Sequence, residues 1–133
     1  MRICLDTSGY SHFRRGMPEA VRTVTRARTV LLPAIVLGEL RVGFRRGTRR
    51  AENEERLRQF IEESVVAILS VDDEAASHYA DIVVELRRHG TPIPTNDIWI
   101  AALAAREGGT VLTTDRHFAY IGRVGSVILS PPP

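Results

Sequence analysis

Four acidic residues stand beside apolar segments without an evident basic partner. They are Asp6, Glu39, Asp97 and Asp115. Asp115 alone has an adjacent base, Arg116, which we expect to point elsewhere. An ionised carboxylate that enters a protein core without a partner is very costly, and four acids at one edge of a sheet repel one another unless a cation lies among them. Carboxylate oxygens are the ligands that Mg²⁺ and Mn²⁺ prefer. The pattern therefore predicts a divalent-metal site.

The chemistry available to such a site concerns phosphate esters. A divalent ion held by carboxylates orients a phosphodiester, lowers the pKa of a bound water and stabilises the leaving oxygen. Arginines suited to a polyanionic substrate follow two of the acids closely: Arg14, Arg15, Arg41, Arg45, Arg46, Arg49 and Arg50. Charge runs of this kind also occur as solvated helix faces, so the two interpretations of the arginines stay open.

Composition limits the other mechanisms. The 133 residues suit one domain with a single core, which we place at 1–130, followed by a mobile tail at 131–133. The 18 basic residues are all Arg, which excludes a P-loop, a Schiff base or any other lysine mechanism. A single Cys4 in an apolar run indicates a buried thiol in a reducing cytoplasm. No signal peptide or membrane-spanning stretch is visible.

Strands and helices alternate along the chain. Apolar runs predict strands at 2–6, 30–32, 65–69, 110–113 and 127–129, with helices between them. Because the strands read as continuous apolar runs, we expect a parallel sheet covered on both faces. Asp6 and Asp115 then lie at carboxyl ends of strands, where such sheets bind ligands. Thr95 or Asn96 is predicted to cap the helix that carries Asp97.

Four segments together resemble the PIN-domain family, and most closely the VapC toxins of VapBC toxin–antitoxin systems. They are Asp6-Thr7-Ser8 after a strand, Glu39 in a helix begun by Pro33, Pro94-Thr95-Asn96-Asp97-Ile98-Trp99, and Thr113-Thr114-Asp115-Arg116-His117-Phe118. The resemblance implies a three-layer α/β/α domain with a five-stranded parallel sheet. It also implies an Mg²⁺- or Mn²⁺-dependent endoribonuclease. The substrate that the family implies is a structured RNA, either tRNA or rRNA.

The resemblance also implies roles for individual residues. Asp6 and Asp97 would be the main metal ligands, with Glu39 and Asp115 completing the site. Second in importance are residues that would orient carboxylates or waters: Thr7, Ser8, Asn96 and Thr114. His117 stands where many relatives carry another acid, and we expect an ordinary surface histidine there.

The family further implies a homodimer and a cognate VapB-type antitoxin that covers the active-site groove. Tyr10, Phe13, Leu40 and Phe44 are the predicted antitoxin contacts. Arg14, Arg41, Arg45 and Arg46 are the predicted RNA contacts.

Two alternatives remain at this point. A PIN-like fold could bind RNA or protein without turnover, although the intact set of four acids argues against that. A phosphatase-type domain could use Asp6 as a nucleophile, but that chemistry usually needs an Asp two residues on, where this chain has Ser8, and a lysine.

Overall fold

A computed structural model describes residues 1–133 and contains five strands, six α-helices and one 3₁₀ turn. In chain order they are β1 (Arg2–Leu5), α1 (Thr7–Arg14), α2 (Pro18–Arg26), β2 (Thr29–Pro33), α3 (Ala34–Arg46), α4 (Arg50–Glu62), β3 (Val66–Leu69), α5 (Asp73–Arg88), α6 (Thr95–Arg106), β4 (Thr110–Thr113), the 3₁₀ turn (Arg116–Tyr120) and β5 (Gly125–Ile128). None of the helices combines the length and the hydropathy that a membrane crossing needs.

All five strands are parallel and lie in the order β3-β2-β1-β4-β5. The central strand β1 pairs with β2 on one side and with β4 on the other, and its residues Ile3, Cys4 and Leu5 have no exposed surface. Strands buried on both faces must be apolar throughout. The predicted parallel sheet is confirmed.

The helices form the two outer layers. Right-handed crossovers carry α1–α4 to one face of the sheet and α5–α6 to the other. On the first face, Tyr10 of α1 packs edge-on against Phe60 of α4, with ring centroids 5.4 Å apart. On the second, Tyr79 of α5 stacks on Trp99 of α6 at 4.0 Å. The three-layer α/β/α prediction is confirmed.

Two local predictions are wrong. The N-cap of α6 is Pro94, and no side chain caps the helix. Thr95 lies inside the first turn, and the Asn96 amide donates instead to Glu39. The last strand spans Gly125–Ile128 rather than 127–129, because β5 pairs from Gly125 opposite Thr110.

Candidate active site

Asp6 is the most firmly held of the four acids. It follows β1 directly, is 5% exposed and forms the N-cap of α1. Its Oδ1 accepts from the Gly9 backbone N–H at 2.7 Å and from the Ser8 hydroxyl at 2.7 Å. Its Oδ2 accepts from the Thr113 hydroxyl at 2.5 Å. Donors to both oxygens fix the orientation of this carboxylate at the end of the central strand.

Burial sets the electrostatics at this point of the sheet. Desolvation raises the pKa of Asp6, although the hydrogen bonds from Thr113, Gly9 and Ser8 act in the opposite direction. The neighbouring charge of Asp115 raises it further. Cys4, two residues earlier, is fully buried as predicted, and burial raises the pKa of its thiol.

Asp115 is tied to Asp6 through hydroxyl groups. Its backbone N–H donates to Thr113 Oγ1 at 2.9 Å, the same hydroxyl that donates to Asp6. The Thr114 backbone N–H donates to Ser8 Oγ at 3.0 Å. Thr114 was predicted to orient a carboxylate or a water; the contact it makes here is through its backbone, and the hydroxyl that contacts Asp6 belongs to Thr113.

Glu39 lies in the middle of α3 and is held by residues from two other helices. Thr7 of α1 donates to its Oε1 at 2.6 Å. The Asn96 amide of α6 donates to its Oε2 at 3.4 Å. Glu39 takes part in no ion pair, and neither do Asp6 and Asp97. Three helices therefore meet at a carboxylate that no arginine neutralises.

Asp97 completes the group. Burial raises its pKa to about 6, with further contributions from the charges of Asp115, Asp6 and Glu39. All three other acids thus act on this one carboxyl. The four predicted acids therefore lie within electrostatic reach of one another, near the carboxyl ends of the adjacent strands β1 and β4. This is also where the strand order reverses direction, the usual ligand position in open α/β sheets.

The donor set matches a hard divalent cation. Four carboxylates with several neutral hydroxyl and amide neighbours provide the oxygen-rich environment that Mg²⁺ and Mn²⁺ select, and their mutual repulsion is what such a cation relieves. No three of these side chains lie close enough together to form a ready-made metal-binding group. Thr7 and Thr113 hold one oxygen of Glu39 and one of Asp6, respectively.

His117 was predicted to be an ordinary surface histidine, and this is only half correct. Its side chain is 55% exposed, but Nδ1 lies 3.0 Å from Asp115 Oδ1. The His117 backbone N–H also donates to the same oxygen at 2.9 Å. His117 therefore contacts one of the four acids directly. Arg116, which is exposed, takes part in no ion pair.

The predicted RNA-contacting arginines have different environments. Arg41 and Arg45 both pair with Glu54, at 3.5 and 3.7 Å, so their charges are partly neutralised within the chain. Arg46 is exposed and unpaired. Arg14 is half-buried and packs on aromatic rings. Arg41 and Arg45 are therefore weaker candidates for RNA contacts than the sequence indicated.

The four predicted antitoxin contacts also differ in their exposure to solvent. Tyr10 and Leu40 are 3% and 4% exposed, and the small surface they keep lines a cleft between α1, α3 and α4; antitoxin contacts at these two positions stay a prediction. A charge introduced at either position would damage the fold. Phe13 and Phe44 are half-buried and keep part of their rings accessible.

Comparison with known proteins gives consistent results. The PIN domain family model matches residues 3–124. The chain is 34% identical over 125 residues to ribonuclease VapC5 of Mycobacterium tuberculosis, covering 92% of this chain and 90% of the relative. It is 31% identical over 124 residues to the tRNA(fMet)-specific endonuclease VapC of Salmonella typhimurium, covering 91% and 92%.

A solved structure agrees with these relatives. The structure of VapBC-5 from Mycobacterium tuberculosis, described as a member of the VapBC family of toxin–antitoxin systems, superposes with a TM-score of 0.72. The sequence identity is 30%, and the match covers 96% of this chain and 98% of the other.

Proposed function

The chain belongs to the PIN-domain family and, within it, to the VapC toxin ribonucleases, and from that premise we propose that it is a metal-dependent endoribonuclease whose active site is the group of Asp6, Glu39, Asp97 and Asp115. One observation carries the proposal. The four carboxylates lie within electrostatic reach of one another near the ends of β1 and β4, where burial and then the charges of the other three acids raise the pKa of Asp97 to about 6.

In this proposal the acids hold Mg²⁺ or Mn²⁺, with Asp6 and Asp97 as the main ligands and Glu39 and Asp115 completing the set. When bound, such an ion lowers the pKa of a water molecule and stabilises a leaving oxygen. Water attack on phosphorus with departure of a 3′-hydroxyl makes no use of the substrate 2′-OH. Ser8, Thr113, Thr7 and Asn96 hold the carboxylates in place through the hydrogen bonds described above.

A structured RNA, of the tRNA or rRNA class, is the proposed substrate. The Salmonella relative is named for cleavage of a tRNA, and the match to it extends over nearly the whole chain. Five surface cavities of about 280–470 Å³ have none of the four acids in their linings. Carboxylates outside such cavities suit a polymer laid across the surface.

The proposed setting is a cytoplasmic toxin–antitoxin pair. A VapB-type antitoxin as partner is supported by the VapBC-5 structure, and Phe13 and Phe44 are the candidate contacts. A homodimer is also proposed. Light scattering of the purified chain, alone and with its antitoxin, tests both: a mass of one chain would contradict the dimer.

The nuclease is tested by incubating purified protein with total bacterial RNA in Mn²⁺, in Mg²⁺ and in chelator. We expect discrete fragments only with metal, and none from Asp97→Asn. The matched control is Asp73→Asn, which makes the same chemical change at an exposed acid in α5 outside the site. Cleavage in chelator, or wild-type cleavage by Asp97→Asn, would contradict the site. Intact RNA in every lane would favour a non-catalytic binding module.

A further inference from the structure

A cleft of about 370 Å³ between α1, α3 and α4 has a strongly basic wall. We call it the arginine cleft; besides the apolar side chains of Tyr10, Leu40 and Phe44, it is lined by Arg14, Arg15, Arg49, Arg56, Ser11 and Asn53. No acidic residue lines it. Guanidinium groups can only donate hydrogen bonds, so this wall favours a negatively charged ligand that accepts hydrogen bonds.

The charge in the arginine cleft is largely unneutralised. Arg14, Arg15 and Arg49 take part in no ion pair, and only Arg56 has a carboxylate partner, Glu52 at 3.0 Å. This distinguishes the cleft from the surface around Arg41 and Arg45, where Glu54 lies within 4 Å of both. Arginine charges without local counterions produce a positive electrostatic potential in the cleft, which attracts an anion.

Arg14 is held in position before any ligand binds. Its guanidinium carbon lies 5.3 Å from the Tyr10 ring centre, 5.5 Å from that of Phe13 and 5.7 Å from that of Phe60. Its Nε donates to the Tyr10 hydroxyl at 3.3 Å. The two terminal nitrogens keep their donors for a ligand. A guanidinium fixed in this way loses little side-chain entropy on binding and can contact a phosphate through two parallel hydrogen bonds.

The arginine cleft continues from the four acids along α1 and α3. The Thr7–Glu39 hydrogen bond joins the two helices at the acids, and residues later in both helices, Arg14 and Phe44, line the cleft. Arg14 follows Asp6 by eight residues, which corresponds to about 12 Å of helix at 1.5 Å per residue. A nucleic-acid strand crosses such a distance in a few nucleotides.

We infer that the arginine cleft binds backbone phosphates of the substrate RNA a few nucleotides from the cleaved bond; this inference rests on the proposed ribonuclease function. It replaces Arg41 and Arg45 as contacts and adds Arg15, Arg49 and Arg56 to Arg14. Phosphate oxygens only accept hydrogen bonds here, and the lining of guanidinium, amide and hydroxyl donors matches them. The contact is independent of base identity, because phosphates carry no sequence information.

The experiment separates binding from cleavage. Arg15→Gln and Arg49→Gln are combined in the Asp97→Asn background, and binding to bulk bacterial tRNA is measured in chelator across a salt series. Both side chains are exposed, so the fold should not change. The matched control is Arg22→Gln with Arg26→Gln, two exposed and unpaired arginines of α2 that do not line the cleft.

We expect the cleft variant to bind tRNA about tenfold more weakly, because it loses two exposed contacts between arginine and phosphate. The slope of log affinity against log salt should fall by about 1.4, at about 0.7 per lost phosphate contact on a single strand. The control should match its Asp97→Asn parent. Equal binding and equal slope for the cleft variant and the control would overturn the inference, even if the wild type cleaves RNA.

Two further results have definite meanings. Loss of antitoxin binding with unchanged tRNA binding would assign the cleft to an acidic protein segment and would also overturn the inference. Weakened tRNA binding by the cleft variant, together with no cleavage by the wild type in any metal, would support the cleft and contradict the ribonuclease proposal instead.

Discussion

The Thr113 hydroxyl donates to Asp6 Oδ2 at 2.5 Å and accepts from the Asp115 backbone N–H at 2.9 Å. Thr113 has no exposed surface and is the last residue of β4, beside the central strand. One buried hydroxyl therefore sets the positions of two of the four acids relative to each other. In the proposed mechanism Thr113 is a positioning residue.

Replacing Thr113 with Val keeps the shape of the side chain and removes the hydroxyl. We expect RNA cleavage to fall about 10- to 100-fold, as for other groups that orient metal ligands, and the free energy of unfolding to fall by about 1–3 kcal/mol. Thr113→Ser should restore most of both. Mn²⁺ affinity measured by calorimetry separates positioning from plain destabilisation: unchanged affinity in a folded Thr113→Val protein would contradict the role.

Gly9 allows α1 to approach β4 closely. A Cβ atom at this position would overlap the Leu112 carbonyl oxygen and lie 3.4 Å from Asp6 Oδ1. Gly9→Ala should therefore cost about 1–3 kcal/mol of unfolding free energy and reduce cleavage, because α1 must shift and carry Asp6 with it.

The control for Gly9→Ala is Gly43→Ala in α3, where nothing lies within 4 Å of an added Cβ. There Ala should stabilise the protein by about 0.5–1 kcal/mol and leave cleavage unchanged. Urea denaturation of both variants provides the comparison. A Gly9→Ala protein as stable as the wild type would show that the helix can move away from β4 without penalty.

Asp97 should make stability depend on pH in a predictable direction. Its pKa is raised to about 6, so the folded state binds this proton more tightly than the unfolded state does. Its contribution to the free energy of unfolding therefore falls as pH rises from about 4 to about 6. Asp97→Asn removes the carboxyl and should be more stable than the wild type at pH 7, by about 1–2 kcal/mol after solvent screening.

The stability difference between Asp97→Asn and the wild type should shrink towards zero below about pH 4, where Asp97 is protonated in both states. Denaturation at pH 4, 5, 6 and 7 measures it. A constant difference across that range would mean that Asp97 does not titrate as the structure indicates.

Divalent metal should stabilise the folded protein through the same acids. At a Mn²⁺ concentration about 100 times the dissociation constant, binding to the native state alone adds about 2.7 kcal/mol. The melting temperature of the wild type should therefore rise with added Mn²⁺, while that of Asp97→Asn should rise much less. NaCl at equal ionic strength controls for non-specific salt effects. Equal shifts in both proteins would place the metal elsewhere.

The order of strands and helices follows from the sequence because it depends on local patterns. Four of the five predicted strands lie where the apolar runs placed them, within a residue or two. Continuous apolar runs are typical of strands in a parallel sheet with helices on both faces. The four acids were equally visible: Asp6 and Asp115 follow apolar strands, and Glu39 and Asp97 have no cation at helical spacing.

The tertiary structure decided which polar neighbours reach those acids. Successive side chains of a strand point to opposite faces, so the choice between Thr113 and Thr114 depends on the register that sets Leu112 opposite Leu5. Asn96 could have capped its own helix but donates to Glu39 from α3. The arginines divided in the same way: Glu54 neutralises Arg41 and Arg45, whereas Arg15 and Arg49 stay unpaired. Each of these outcomes depends on contacts between residues far apart in the chain, and spacing along one sequence does not encode them.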